Sequence, residues 1–193
     1  MFFNFSDTCA PATSTPLWGQ RGAERGFSLL EVMVVVAILA ILAALAGPSF
    51  TPMIERWRVR DATESLQSAL YYARSEAIKR GGNVVIKTTD GANWNSGWSV
   101  FYDANRDAVQ ATCDATKTPN ECDLQVMVAL PQVTITPTPA GTTLTADRWG
   151  ALGAGVELVI APKGGDASSA SALKLCLSLG GRIKQKKASE ACN

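Results

Sequence analysis

The run Leu29–Ala46 holds one charge, Glu31, and from Val32 to Ala46 there is no polar side chain at all. Eighteen helical residues rise about 27 Å, close to the minimum for a bilayer span of roughly 20 apolar residues. Gly47-Pro48 interrupts the run and Pro52 follows, which predicts a kink. Beyond it Ile54, Trp57, Ala62, Leu66, Ala69, Leu70, Ala73 and Ala77 recur at helical spacing, with Arg56, Arg60, Glu64 and Arg74 between them. That spacing predicts an amphipathic helix with one stripe for packing. Gly81-Gly82 supplies a C-terminal cap. One long helix is expected from Phe27 to about Arg80, its first half for apolar surroundings and its second for a globular core.

After Gly82 the period shortens. "NVVIKTT", "GWSVFYD", "LQVMVAL", "VTITPT", "VELVIAP" and "LKLCLSLGG" are β-rich runs separated by Gly, Pro, Asp and Asn. A long helix followed by antiparallel strands is an α+β arrangement with the helix against the sheet. The chain therefore divides into a polar leader at 1–26, an apolar helix at 27–47, its amphipathic continuation at 48–81 and a β-rich domain at 82–193. "GGDASSASA", residues 164–172, reads as a flexible loop.

Composition removes whole classes of chemistry. The chain has 193 residues, a net charge of +1 and no histidine, so Ser-His-Asp and Cys-His nucleophiles, histidine zinc sites and an imidazole switch are excluded. There is no Walker loop and no GxGxxG after a strand. No catalytic residue, metal or cofactor emerges. The five cysteines, Cys9, Cys113, Cys122, Cys176 and Cys192, form no CxxC pair. Loss of Cys9 with a leader leaves an even set. Loop closure favours Cys113–Cys122 and Cys176–Cys192 among the three possible pairings. Either bridge requires an oxidising compartment.

A cleaved secretory signal is one reading of the N-terminus, with "AALAG" at residues 43–47 as its cleavage site. Against it stand the length of the apolar run, the position of Glu31, and Arg21 and Arg25, which hold the leader on the cytoplasmic side. "RGFSLLEV", residues 25–32, resembles the type IV prepilin signal. The resemblance implies cleavage after Gly26 by a prepilin peptidase, N-methylation of Phe27, and retention of the apolar helix with Glu31 as the fifth mature residue. A carboxylate deep in a bilayer costs about 2.5–3.5 kcal/mol on insertion scales, less near a helix N-terminus. In a bundle, Glu31 could pair with a neighbour's terminal amine; unpaired, it would snorkel to the interface.

"SLQSALYYARSEAIKRGGNVVI" and "GWSVFYDANRD" together resemble the FimT/GspH family of minor pilins and pseudopilins. That resemblance covers nearly all of the chain after Gly26. It implies a pilin-like fold, single-pass insertion in the inner membrane with the globular part periplasmic, and partnership with other pilins and an inner-membrane assembly platform. The filament would be a type IV pilus or, alternatively, a type II secretion pseudopilus.

Three smaller signals have bland readings. Asp103, Asn105 and Asp107 alternate as in a calcium loop, but Ala108 and Asp114 stand where such a loop wants Gly and Glu. A polar connection between strands is the simpler interpretation. "ERWRVR", residues 55–60, reads as a solvated helix face, and Glu76 with Arg74 as surface charges without partners.

The tail is basic: from Lys163 onward there are six basic and two acidic residues. If extended, it places Arg182, Lys184 and Lys186 on one face, roughly 6.5–7 Å apart, with Lys187 beside them. Such a surface can hold phosphates without reading sequence. FimT-type pilins of transformable bacteria are associated with DNA through Gly-Arg-x-Arg; here Gly181, Arg182, Ile183 and Lys184 match, with lysine in the fourth place. Lysine keeps the charge but not the bidentate fork. The competing reading is a solubilising, disulfide-closed strand end.

Overall fold

The computed structural model describes residues 26–46, 50–111, 113, 116, 121–153 and 155–192. Cys9, the rest of the leader up to Arg25, Gly47, Pro48 and Asp114 lie outside them. The chain forms two compact units, divided between Leu45 and Ala46.

The first unit contributes helix α1, Leu29–Ala46, and every described side chain of it is exposed. The second begins with helix α2, Thr51–Arg80. Pro52 sits in the first turn of α2, where its missing N–H has no intrahelical partner to lose, so it starts the helix rather than kinking it. At the other end Gly81 adopts φ +82°, and the amide of Gly82 donates to the Ala77 carbonyl at 2.7 Å. Glycine meets that left-handed requirement without the Cβ penalty.

The buried stripe of α2 runs through Val59, Ala62, Leu66, Ala69, Leu70, Ala73 and Ala77. Ile54 and Trp57, expected in it, are 46% and 65% exposed. Val59 is the first apolar residue of α2 to reach the core.

Eight strands follow among the described residues: β1 Val84–Thr88, β2 Trp98–Tyr102, β3 Asp123–Met127, β4 Val133–Thr138, β5 Thr143–Ala146, β6 Val156–Pro162, β7 Leu173–Leu177 and β8 Ile183–Lys187. They form two four-stranded sheets, ordered β3-β2-β1-β5 and β4-β6-β7-β8, with every pairing antiparallel. β5 was not anticipated. Its four residues alternate, with Leu144 and Ala146 inward, too short a pattern to stand out in the sequence.

α2 lies against β1, β6 and β7, so it closes both sheets over one core. Leu66, Leu70, Ile86, Leu158, Ile160 and Leu175 are fully buried there with Trp94 and Trp98. Trp94 hands its indole N–H to the Gly141 carbonyl at 2.8 Å. Two disulfides, Cys113–Cys122 and Cys176–Cys192, close short loops. Residues 164–172, expected as a flexible loop, are held by Asp166, whose carboxylate accepts the amide of Ser168 at 2.8 Å and its hydroxyl at 2.6 Å. Those bonds hold the Asp166 carboxyl below its ordinary range.

Candidate functional site

Two regions carry the residues singled out by sequence. The first is the N-terminus. Phe27 is 80% exposed, and a side chain at Gly26 would meet nothing within 4 Å. Ser28 accepts the amide of Glu31 on its hydroxyl at 3.2 Å and the amide of Val32 on its carbonyl at 3.2 Å. This is half of a Ser-x-x-Glu capping box, a signal present in the sequence and not read there. It puts Glu31 in the first turn, where the helix dipole favours an anion. Beyond it Val32, Met33, Val34, Val35, Val36, Ile38, Leu39, Ile41 and Leu42 are each at least half exposed. Among the described residues, no helix is long and apolar enough to cross a membrane.

The second region is the β7–β8 hairpin. Ser178 and Arg182 close its turn: the Ser178 amide donates to the Arg182 carbonyl at 2.9 Å, and the Arg182 amide to the Ser178 hydroxyl at 3.1 Å. Gly181 lies at φ +75°, and a Cβ there would run into the Gly150 carbonyl and the Arg74 guanidinium. Arg74 in turn donates Nε–H to that carbonyl at 2.7 Å. The glycine of the Gly-Arg pair is thus required by packing against α2, and Arg74 has a partner where none was expected.

Arg182 and Lys184 line one cleft of about 450 Å³, together with Glu157 and Cys192. Lys186 shares their face of β8, but its ammonium group donates to the Ala191 carbonyl at 2.6 Å. On β7 its cross-strand partner Lys174 donates to the Glu190 carbonyl at 3.2 Å and pairs with the Glu157 carboxylate at 2.9 Å. The Cys176–Cys192 bridge draws the tail back over these lysines. Lys187 departs from the expected group altogether. It faces the other side of the sheet, lining a cleft of about 560 Å³ with Arg56, Trp57 and Arg60. Alternation along a strand makes this unavoidable: Lys186 and Lys187 are neighbours in sequence and point to opposite faces.

Two further readings change. Glu76 is buried, and its carboxylate pairs with Arg80 at 2.8 Å and Lys79 at 3.3 Å. Arg80 first, then Lys79, holds its carboxyl below the usual range against the opposing effect of burial. Arg80 also lies over the Tyr102 ring, 5.6 Å from its centroid. In the connection after β2, Asp103 is buried and accepts amides from Arg106 and Ala108 at 2.6 and 2.9 Å. Glu121, fully buried and overlooked in the sequence, accepts those of Ala104, Asn105 and Ala111 at 3.0–3.2 Å. Carboxylate oxygens of Asp103, Asp107 and Glu121 lie within 4.8 Å of one another. All three are engaged in holding loop backbone, Asp107 by accepting the Val109 amide at 2.7 Å.

Comparison with known proteins agrees with this architecture. A family model described as type II transport protein GspH matches residues 62–181, and a prokaryotic N-terminal methylation motif matches residues 21–47. The crystal structure of the type IV minor pilin FimU from Pseudomonas aeruginosa PAO1 has a TM-score of 0.54 and 23% identity, over 70% of this chain and 92% of that one. A second crystal form of it gives 0.52, also at 23% identity, over 68% and 94%. The minor pseudopilin EpsH of the type 2 secretion system of Vibrio cholerae is more distant, at 0.46 and 15% identity over 69% and 99%. No curated protein matches the chain. Pilins and pseudopilins are filament subunits rather than enzymes. The chain belongs to the GspH family and is a subunit of the minor pilin or pseudopilin kind.

Proposed function

We propose that the protein is a minor pilin of a type IV pilus-type filament. It is inserted in the inner membrane by the apolar segment at 27–47, of which α1 is the described part, cut after Gly26 and methylated on Phe27 by a prepilin peptidase, and extracted by an inner-membrane platform. It then packs with other pilins through the same helix. The observation that carries this reading is the uncovered apolar surface of α1 with Glu31 in its first turn. A surface of that size is stable only against lipid or like helices. Glu31 would pair with a neighbour's terminal amine and set axial register. The test is incorporation of Glu31→Ala into sheared filaments. Normal processing with loss from the filament fraction supports the pairing; normal incorporation removes it.

The FimU likeness favours a pilus. The GspH family model supports the second reading, a pseudopilin acting in protein export. Filament and secretion assays on a deletion strain separate them.

Sequence-independent DNA contact during uptake belongs to the same proposal. Arg182 and Lys184, sharing one cleft, support it. Two phosphate contacts give a log–log salt slope of about −1.8. Binding by the mature chain unchanged in Arg182→Ala/Lys184→Ala would remove DNA from the account.

A further inference from the structure

The sequence between the apolar helix and the core stripe has a use that its charge pattern alone did not suggest. Phe50, Met53, Ile54 and Trp57 are 54, 56, 46 and 65% exposed. They begin four residues after α1 ends. Arg56 and Arg60 alternate with them, and the fold adds cations from distant sequence. Lys187 of β8 lines the same 560 Å³ cleft as Met53, Arg56, Trp57 and Arg60. Lys163, after β6, lines an adjoining one of about 280 Å³ with Pro52 and Arg56. Glu55 lines the second cleft and Glu64 lies 3.5 Å from Arg60, while Asp166, in the loop beside the second cleft, is engaged by Ser168. Four cations against three acids leave a positive recess whose rim is an exposed indole and a thioether.

We propose that this recess binds the head groups of anionic phospholipids while the subunit resides in the membrane. Trp beside Arg, next in sequence to an apolar segment, is the composition of a membrane–water interface. A basic pocket at that level takes a lipid phosphate with its guanidinium and ammonium groups. Duplex DNA fits the observations less well, because it leaves Phe50, Met53 and Ile54 uncovered. The inference rests on the membrane-inserted reading of α1.

The test uses the mature full chain in vesicles of phosphatidylcholine containing a minor fraction of phosphatidylglycerol. Flotation is scored first. Failure to float with any vesicle overturns the membrane reading and this inference with it. For protein that floats, one lipid at a time is replaced by its brominated form. Quenching of Trp57 is taken as the difference between wild type and Trp57→Phe. Brominated phosphatidylglycerol is expected to quench more strongly than brominated phosphatidylcholine at equal mole fraction. Arg56→Gln and Lys187→Gln should each reduce that preference by up to about fivefold, the weight of one cation near an anionic surface. Equal quenching by the two lipids, or none by either, overturns the head-group site alone. So does duplex DNA that displaces the lipid effect and loses affinity in Arg56→Gln.

Discussion

Lys186 donates its ammonium group to the carbonyl of Ala191 at 2.6 Å, and the tail that carries this carbonyl is tied to β7 by Cys176–Cys192. A cation that sequence offers to phosphate is therefore engaged by the protein's own C-terminus. Cys192→Ser releases the tail and frees Lys186, while Lys174 stays paired with Glu157 at 2.9 Å. DNA affinity should rise at low salt, and the salt slope should steepen from about −1.8 towards −2.7 as two contacts become three. Chain-entropy reasoning puts the accompanying stability loss at about 3 kcal/mol for a loop of this length. Titration at several salt concentrations and urea unfolding measure the two effects separately.

Gly181→Ala should destabilise the fold by about 1–2 kcal/mol, since it combines a left-handed φ with an intrusion on Gly150 and Arg74. Arg182→Ala, on an exposed side chain, should stay within about 0.5 kcal/mol of wild type. Urea midpoints of the two variants distinguish a glycine kept for packing from one kept for contact with a ligand.

Glu76 gives a pH signature. Its folded-state carboxyl is held below the ordinary carboxylate range by Arg80 and Lys79, so the folded chain binds fewer protons there than the unfolded one. Its stabilisation is fully present above the unfolded value and is lost as pH falls through the lowered one. Glu76→Gln should cost about 1 kcal/mol at neutral pH and progressively less in acid. Unfolding of both proteins from pH 7 down to pH 3 reads the convergence.

Glu121 should matter more than its neighbours in the loop after β2. Removing a fully buried carboxylate that accepts three backbone amides leaves those donors without their partner. Glu121→Ala is expected to cost about 1–3 kcal/mol and to raise amide exchange at Ala104, Asn105 and Ala111. Asp107→Ala, exposed on the same loop, should cost about 1 kcal/mol or less.

The elements legible in the sequence were those with a long period or a strong punctuation mark. α1 is a run of one character, α2 repeats its alanines and leucines at helical spacing, and Gly81-Gly82 ends it. The β-runs from Val84 to Leu177 stand between turn residues. What escaped depended on contacts distant in sequence. Glu121 looks like an ordinary loop acid until folding brings it to Asp103. Arg74 looks solvated until Gly150 arrives. Trp57 fits the helical period, but that period does not say where burial starts, and the buried stripe begins at Val59. In the basic tail, alternation groups Arg182, Lys184 and Lys186 on one face, but it also sends Lys187 to Arg56, and the returning tail takes up Lys186.

The central claim is that the apolar helix is retained, with Phe27 at its head. Intact-mass and N-terminal sequencing of the protein recovered from cell membranes tests it most directly. The expected product begins at Phe27, carries one methyl group on its amine and contains the whole of Leu29–Ala46. A product beginning near Gly47 and free in the periplasm would contradict it, since Glu31 and its helix would then have been discarded before any filament could use them.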